Sequence, residues 1–349
     1  ITGVTTNNLA SINSALDSGA VDGNKADTIA KIQAIVNDYN AILTSADNIG
    51  GNTTTAITGE QYADVGVTGI ALGSPTPGSA LALLDSVIDA SPQSAVNTLE
   101  KLQKMANATA NVMGAAGGSA ADAANLSFAD LQALGFAAVD STNIGAVRAA
   151  INAIASDDLI DSQSDLASIV NKALGQVSNA LALIGGRADA NTAGGATGIT
   201  PLTTTDFSNA QVFGVSPSNL AAINSALDST TITLPLANTT VQLQSIVDAY
   251  NAILTAADHT AGSTPITAAQ FTAIGVTGVA GTSNSGTPLH LLNDVVDLSL
   301  STAVGTEGLI QAMATGANNV MAAAGGSSTD AAALTLTDLS ALGITTTGH

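Results

Sequence analysis

The chain has 349 residues, of which 27 are acidic and 7 basic, and its formal net charge is −20. This balance excludes nucleic acid as a partner, because phosphate binding requires clustered Lys and Arg that release counterions, and it disfavours an anionic membrane surface. Cysteine is absent, which excludes a disulfide framework and a thiolate metal site. Charged residues make up only 10% of the chain, so we expect a surface that neighbouring subunits cover or that lies outside the cell.

A short phrase that ends in glycine recurs along the chain: DVG at 64–66, ALG at 133–135, VFG at 212–214, AIG at 273–275 and ALG at 341–343. Gly3, in the opening ITGV, fits the same series. Intervals of roughly 60 to 80 residues are typical of a modular array. The spacing predicts an all-α fold, a tandem array of five small three-helix modules arranged as beads or as a solenoid-like stack. The predicted modules are 1–66, 67–135, 136–214, 215–275 and 276–349.

Each module is predicted to open with one helix and to continue with a longer one, because its apolar residues recur at the spacing of a buried helical stripe. In chain order, the two stripes lie at 9–16 and 29–43, 81–87 and 96–105, 144–154 and 166–184, 220–227 and 243–254, and 289–295 and 309–321. Three helices joined by short connections predict a small bundle.

The sharpest pattern is the short helix that closes each module. Eight positions before the glycine stands a residue that caps helices well, and the apolar residue after the glycine should pack back on the last turn. The predicted N-caps are Thr58, Ser127, Asp206, Thr267 and Thr335; the predicted C′ glycines are Gly66, Gly135, Gly214, Gly275 and Gly343; the apolar residues after them are Val67, Phe136, Val215, Val276 and Ile344. We expect neighbouring modules to dock at these linkers.

A second level of repetition relates the two ends of the chain. NLASINSALDS at 8–18 recurs as NLAAINSALDS at 219–229, and YNAILTSAD at 39–47 recurs as YNAILTAAD at 250–258. Modules one and two therefore match modules four and five, with module three between them. This pattern predicts a longer parent protein that contains many such units.

Four aspartates, Asp157, Asp158, Asp161 and Asp165, form the strongest candidate for an ion site. Calcium is a hard cation that carboxylates satisfy, although the fixed spacing and turn glycine of an EF-hand loop are absent. The alternative is that Asp158, Asp161 and Asp165 are charges favoured by the dipole at a helix N-terminus. Calcium is accordingly the one cofactor that the sequence leaves open.

No pattern in the chain predicts catalysis. The glycine-rich stretch MGAAGGSAAD at 113–122 lacks the Lys that a phosphate-binding loop needs. His259, His290 and His349 have no His or Cys at ligand spacing. Tyr39 and Tyr250 occupy the same position in two modules, which favours a place in the core. The sequence predicts a protein that is not an enzyme.

Four phrases carry a resemblance: TNNLASINSALDS at 6–18, IVNDYNAIL at 35–43, GVTGV at 275–279 and LTLTDLSALGI at 334–344. They resemble the tandem helical repeats of very large bacterial surface proteins of the adhesin, biofilm-matrix or surface-layer type. The resemblance implies a secreted or cell-surface protein and brings no catalytic residue with it.

The repetition, the charge-poor surface and the lack of a catalytic pattern together predict an extracellular structural protein. Its expected partner is itself, as a homopolymer that forms a filament, sheath or surface lattice, or else the neighbouring repeats of a longer chain. No run of apolar residues is long enough for membrane insertion. The alternative is a spacer or binding repeat region of a large monomeric adhesin.

Overall fold

The computed structural model describes residues 1–51, 56–190, 200–260, 262–325 and 334–344, and this part of the chain is all-α, as predicted. Its β-structure consists of two isolated bridges, Asp47 with Pro92 and Asp258 with Leu300. The α-helices, in chain order, are α1 Leu9–Leu16, α2 Ile29–Ser45, α3 Gly59–Asp64, α4 Ala80–Asp89, α5 Leu99–Ala115, α6 Ala120–Asn125, α7 Phe128–Ala133, α8 Ile144–Asn152, α9 Gln163–Ala190, α10 Thr204–Asn209, α11 Leu220–Leu227, α12 Thr240–Ala256, α13 Ala268–Ala273, α14 Pro288–Asp297, α15 Glu307–Gly325 and α16 Leu336–Ala341.

One succession of elements recurs along the chain, and we call each occurrence a repeat. An opening helix (α1, α4, α8, α11 or α14) is followed by a long helix (α2, α5, α9, α12 or α15) and then by a closing helix of six residues (α3, α7, α10, α13 or α16). Among the described residues, those of the second repeat form one further short helix, α6, before its closing helix. Short 3-10 helices at Gly23–Lys25, Gln93–Ala95, Asp157–Leu159 and Leu234–Leu236 stand between opening and long helices.

The contacts divide the chain into two compact units, residues 1–175 and 176–349. The core of the first unit runs from Ile12 to Ala173, and that of the second runs from Ala180 to Ala317. Repeats within a unit thus share one core, as expected when each alone is close to the lower size limit for a stable domain. The boundary falls inside α9, so the predicted module 136–214 contributes to both units. The five separate modules stay a prediction.

The closing helices follow the predicted design in four repeats. Thr58, Ser127, Thr267 and Thr335 are N-caps, and each forms a capping box with the residue three positions later. The C′ glycines that follow have a positive φ of 79° to 100°, in the region that glycine tolerates best. The residue after each glycine donates its N–H to the carbonyl five positions back, as from Val67 to Tyr62 at 2.9 Å. This bond, together with that of the glycine N–H, is the Schellman motif.

The third repeat corrects the prediction, because its closing helix lies three residues earlier than the glycine series implied. The N-cap of α10 is Thr203, and Asp206 is its capping-box partner instead of the cap. The C′ residue is therefore Gln211, with a φ of 57°, and not Gly214. The apolar residue that closes the motif is Val212, whose N–H donates to the Phe207 carbonyl at 2.9 Å, and not Val215. Because Gln211 and not a glycine occupies the left-handed C′ position, the glycine pattern did not show where α10 ends.

Gly214 belongs to a different series, which it shares with Gly3. The Gln244 side chain accepts from the Phe213 N–H at 2.8 Å and donates to the Phe213 carbonyl at 3.0 Å. Gln33 makes the same pair of bonds to Thr2, the residue before Gly3. These glycines therefore mark where the chain crosses the long helix of its own repeat, and not where a closing helix ends.

Candidate assembly surface at the junctions between repeats

A polar side chain from each opening helix after the first binds the backbone of the preceding repeat at one recurrent place, the residue just before the N-cap of the closing helix. Asp85 accepts from the Ile57 N–H at 3.0 Å, the Arg148 Nε donates to the Leu126 carbonyl at 2.6 Å, and the Asn224 Nδ2 donates to the Leu202 carbonyl at 3.1 Å. Asn293 does both, accepting from the Ile266 N–H at 2.7 Å and donating to its carbonyl at 3.0 Å. All four junctions in the described chain use this contact.

Burial explains why a polar side chain is needed there. Ile57, Leu126, Leu202 and Ile266 are all buried, so their backbone groups are cut off from water. A buried backbone group without a partner costs about 1–3 kcal/mol, and the next opening helix supplies that partner. Sequence reasoning missed these residues, because nothing local marks which polar residue of a helix meets the preceding repeat. Asp85, Asn224 and Asn293 each stand beside a second polar residue in their helices.

Two tyrosines join repeats through the core. The Tyr39 hydroxyl donates to the Val96 carbonyl in the next repeat, and the Tyr250 hydroxyl donates to the Val304 carbonyl, both at 3.1 Å. Both rings are fully buried, as the sequence predicted for core residues. The bonds link repeat one to repeat two and repeat four to repeat five, so a shared core and a directional bond act together at these junctions.

A partly buried ion pair lies at the junction between repeats three and four. Arg187 of α9 is 7% exposed, and its guanidinium binds both carboxylate oxygens of Asp228, at 2.7 Å and 2.5 Å. A third bond runs from Nη1 to the Thr200 carbonyl at 3.0 Å. The planar guanidinium suits such two-point binding of a carboxylate. Arg187 is the last basic residue of the chain.

The junction between repeats one and two contains an acid beside a buried phenol. Burial raises the pKa of Asp85, and the bond from the Ile57 N–H lowers it in part, while Asp89 raises it further. The Tyr62 hydroxyl is fully buried and makes no hydrogen bond of good geometry to any described residue. Burial, together with the nearby Asp85, holds its pKa well above the ordinary value. Repeats four and five place Phe271 and Asn293 at the equivalent positions. The second unit thus has an uncharged version of the same junction.

We expect Asp85→Asn to stabilise the first unit at neutral pH by about 1 kcal/mol, the usual net value of one hydrogen bond. A carboxyl whose pKa is raised by folding contributes most to stability below the unfolded value of about 3.9 and loses that contribution as the pH rises through the folded pKa. The gain from the amide should therefore be large at pH 7 and small at pH 4. Urea unfolding at both values measures it.

The matched control for this prediction is Asp27→Asn, since Asp27 lies on the surface in an ion pair with Lys31. Its effect should remain within about 0.5 kcal/mol at both pH values. An Asp85→Asn effect that did not change with pH would contradict the assignment of a raised pKa to this junction.

Two of the four candidate calcium ligands bind other groups of the chain in the structure. Asp161 accepts from the Gly78 N–H at 2.6 Å, and Asp165 forms a capping box with Ser162, with its Oδ2 2.6 Å from the hydroxyl oxygen. Asp157 and Asp158 lie in the 3-10 helix Asp157–Leu159. Over the described ranges, no three His, Cys, Asp or Glu side chains come together as a metal ion would require. The calcium hypothesis therefore finds no ligand set there.

The linker residues that were expected to join modules differ in their surroundings. Val67, Phe136 and Val276 are buried, Val215 is half-buried, and Ile344 is 54% exposed.

Two of the histidines named in the sequence can be placed as follows. His259 has a positive φ of 64°, and its backbone N–H donates to the Ser299 carbonyl at 3.1 Å. His349 lies outside the described residues.

In comparisons with known proteins, no family model, no curated protein and no solved structure matches the chain. Among the helices that the structure describes, none combines the length and apolar character needed to cross a membrane.

Proposed function

We propose that this chain is an extracellular structural protein that assembles with copies of itself into a filament, sheath or surface lattice. The observation that carries the proposal is the recurrent junction contact, in which every opening helix after the first binds the backbone of the repeat before it. A surface that joins repeat to repeat within one chain is suited to joining repeats on different chains. We propose no catalytic role.

The composition supports the same proposal. With 10% charged residues and a positive mean hydropathy of 0.36, most of the surface residues are uncharged and can be buried against a neighbour without the cost of desolvating many charges. Repeats that contact mainly their neighbours gain stability as more of them stack. Both properties favour a protein that works as part of an assembly outside the cell.

The experiment is to image the purified chain by negative-stain electron microscopy while its concentration is raised, with and without calcium. The proposal predicts filaments or sheets, together with scattering intensity that grows with concentration. A chain that stays monomeric and monodisperse throughout would contradict it. Assembly that occurs only with calcium would instead indicate that acidic loops of the chain bind the ion.

The second candidate is a spacer or binding repeat region of a large monomeric adhesin. The division into two units, each with its own core, favours it, because such units can stand in series without lateral contact. This function predicts particles that remain single at every concentration. Small-angle scattering distinguishes the two proposals.

A further inference from the structure

The surroundings of α3 carry titratable groups that the matching place in the second unit lacks. The repeated segment YNAIL relates α2 to α12, and the C′ glycines relate α3 to α13, so each residue has a counterpart. The titratable residues around α3, each given with its counterpart, are Asp38 with Ala249, Tyr62 with Phe271, Asp64 with Ala273, and Asp85 with Asn293. Two junctions of the same design thus differ in what a change of pH can affect.

Asp38 of α2 is half-buried beside α3. It accepts from the Gln61 side chain at 3.2 Å, and the oxygen of the same side chain accepts from the Thr58 N–H at 2.9 Å, so this carboxylate is linked to the capping box of α3. Burial raises the pKa of Asp38, the bond from Gln61 lowers it in part, and the nearby Asp64 raises it further. A proton on Asp38 removes both the repulsion from Asp64 and the cost of keeping a charge away from water.

Asp85 of α4 is the second half-buried carboxyl at this place. Its bond from the Ile57 N–H joins α4 to the segment that leads into α3. The groups that face it are the buried Tyr62 hydroxyl of α3 and the Asp89 carboxylate of its own helix. A protonated Asp85 can still accept from the Ile57 N–H, and it gains a donor of its own.

Two further charged groups lie at α3, and both are exposed. Lys25, in the 3-10 helix before α2, donates to the Ala63 carbonyl at 3.2 Å. Over the part of the chain that the structure describes, its ammonium forms no ion pair with either half-buried carboxylate. Glu60 of α3 acts in the opposite direction, because bonds from its own N–H and from the Gly73 N–H lower its pKa.

We propose that the docking of α3 responds to pH: Asp38 and Asp85 each take up a proton in mildly acidic medium, which stabilises α3 against its neighbours, and each releases it at neutral pH, which lets the helix open more readily. Both carboxyls have a pKa that folding raises. The stability they contribute is therefore present below about pH 4 and is lost as the pH rises through their folded pKa values. This property goes beyond self-assembly and does not depend on it.

The test is native-state hydrogen exchange on the full 349-residue chain, measured by mass spectrometry at about pH 4 and about pH 7. Each rate is divided by the intrinsic rate at that pH, which gives the protection of α3. The double variant Asp38→Ala, Asp85→Asn carries the residues of the second unit at both positions. The ratio of α3 protection at the lower pH to that at the higher pH should be about tenfold larger in the unmodified chain than in this variant, since one pKa unit is one power of ten. Because both chains keep Glu60, its opposite effect cancels in this comparison.

A control and a reciprocal variant complete the design. Asp27→Asn removes an exposed carboxylate that pairs with Lys31 and should leave the ratio for α3 unchanged. Asn293→Asp places the acid of α4 in α14 and should give α13 a protection that falls at neutral pH. Because burial also raises the pKa of Glu307 at the start of α15, the reciprocal variant is compared with its parent in a Glu307→Gln background.

Three results would overturn the inference: a double variant that keeps the full ratio for α3, a control that loses it, or a reciprocal variant whose α13 does not respond to pH. Circular dichroism at both pH values verifies that each variant retains its helices. The proposed function would survive any of these results, because it concerns association between copies and not the stability of one helix.

Discussion

Replacing Arg187 with alanine is expected to cost the second unit about 2 kcal/mol, because it leaves a half-buried carboxylate without its partner, and breaking a fully buried pair costs about 3–5 kcal/mol. The guanidinium is 7% exposed and Asp228 is 32% exposed, so water can replace only part of what is lost. Hydrogen exchange measured by mass spectrometry should show lower protection in α11 and α12. Helices α1 and α2 belong to the other unit and should keep their protection.

The matched control for this prediction is Lys104→Ala. Lys104 pairs with Glu100 at 2.7 Å, but the two side chains are 64% and 77% exposed, and exposed pairs contribute about 0–1 kcal/mol. If Lys104→Ala lowered the stability of the protein as much as Arg187→Ala does, burial would not distinguish the two ion pairs. Equal loss of protection in both units would contradict the placement of the Arg187 pair within the second.

Gly275→Ala is expected to destabilise the second unit by about 3 kcal/mol, for two separate reasons. The residue has a φ of 99°, which costs an alanine about 1–2 kcal/mol. An added Cβ would also meet the Ser229 hydroxyl and come within 2.8 Å of the Thr231 hydroxyl oxygen, which donates to the Gly275 carbonyl at 2.7 Å. Urea unfolding measures the sum of the two effects.

Gly135→Ala separates those effects. Gly135 occupies the same C′ position with a φ of 98°, but its added Cβ would meet nothing closer than the Gln163 side chain at 3.9 Å. Only the backbone strain should remain, so the loss should be about 1 kcal/mol. Equal losses at the two glycines would mean that the close approach to Ser229 and Thr231 has no energetic weight.

The helical class and most closing helices could be predicted from the sequence because their signals are local. A capping threonine or serine, a partner three residues later and a glycine after the last turn act within a few residues of one another. The prediction failed where one local signal was replaced, at Gln211, since a non-glycine residue at positive φ carries no mark in the sequence. The nearby Gly214 then placed the predicted end of the helix three residues too far along the chain.

The junction contacts could not be predicted, because they depend on which helices meet. Arg148 and Leu126 stand 22 residues apart, and Asn224 and Leu202 are separated by the same distance. Nothing in the sequence distinguishes Asn224, which is buried, from Asn13, which is exposed in a nearly identical segment. That difference arises only from the repeat that packs against one and not against the other.

The junction residues also bear on how a chain with near-identical segments finds the correct order as it folds. Repeat proteins are prone to misassembly in which one copy of a segment takes the place of another. Ionised Asp85 can only accept, Arg148 can only donate, and Asn293 does both. An opening helix that docked at the wrong closing helix would often place a donor against a donor, or leave the buried Ile57 N–H without an acceptor. The changing chemistry of one position thus penalises shuffled arrangements that the shared apolar surfaces alone would allow.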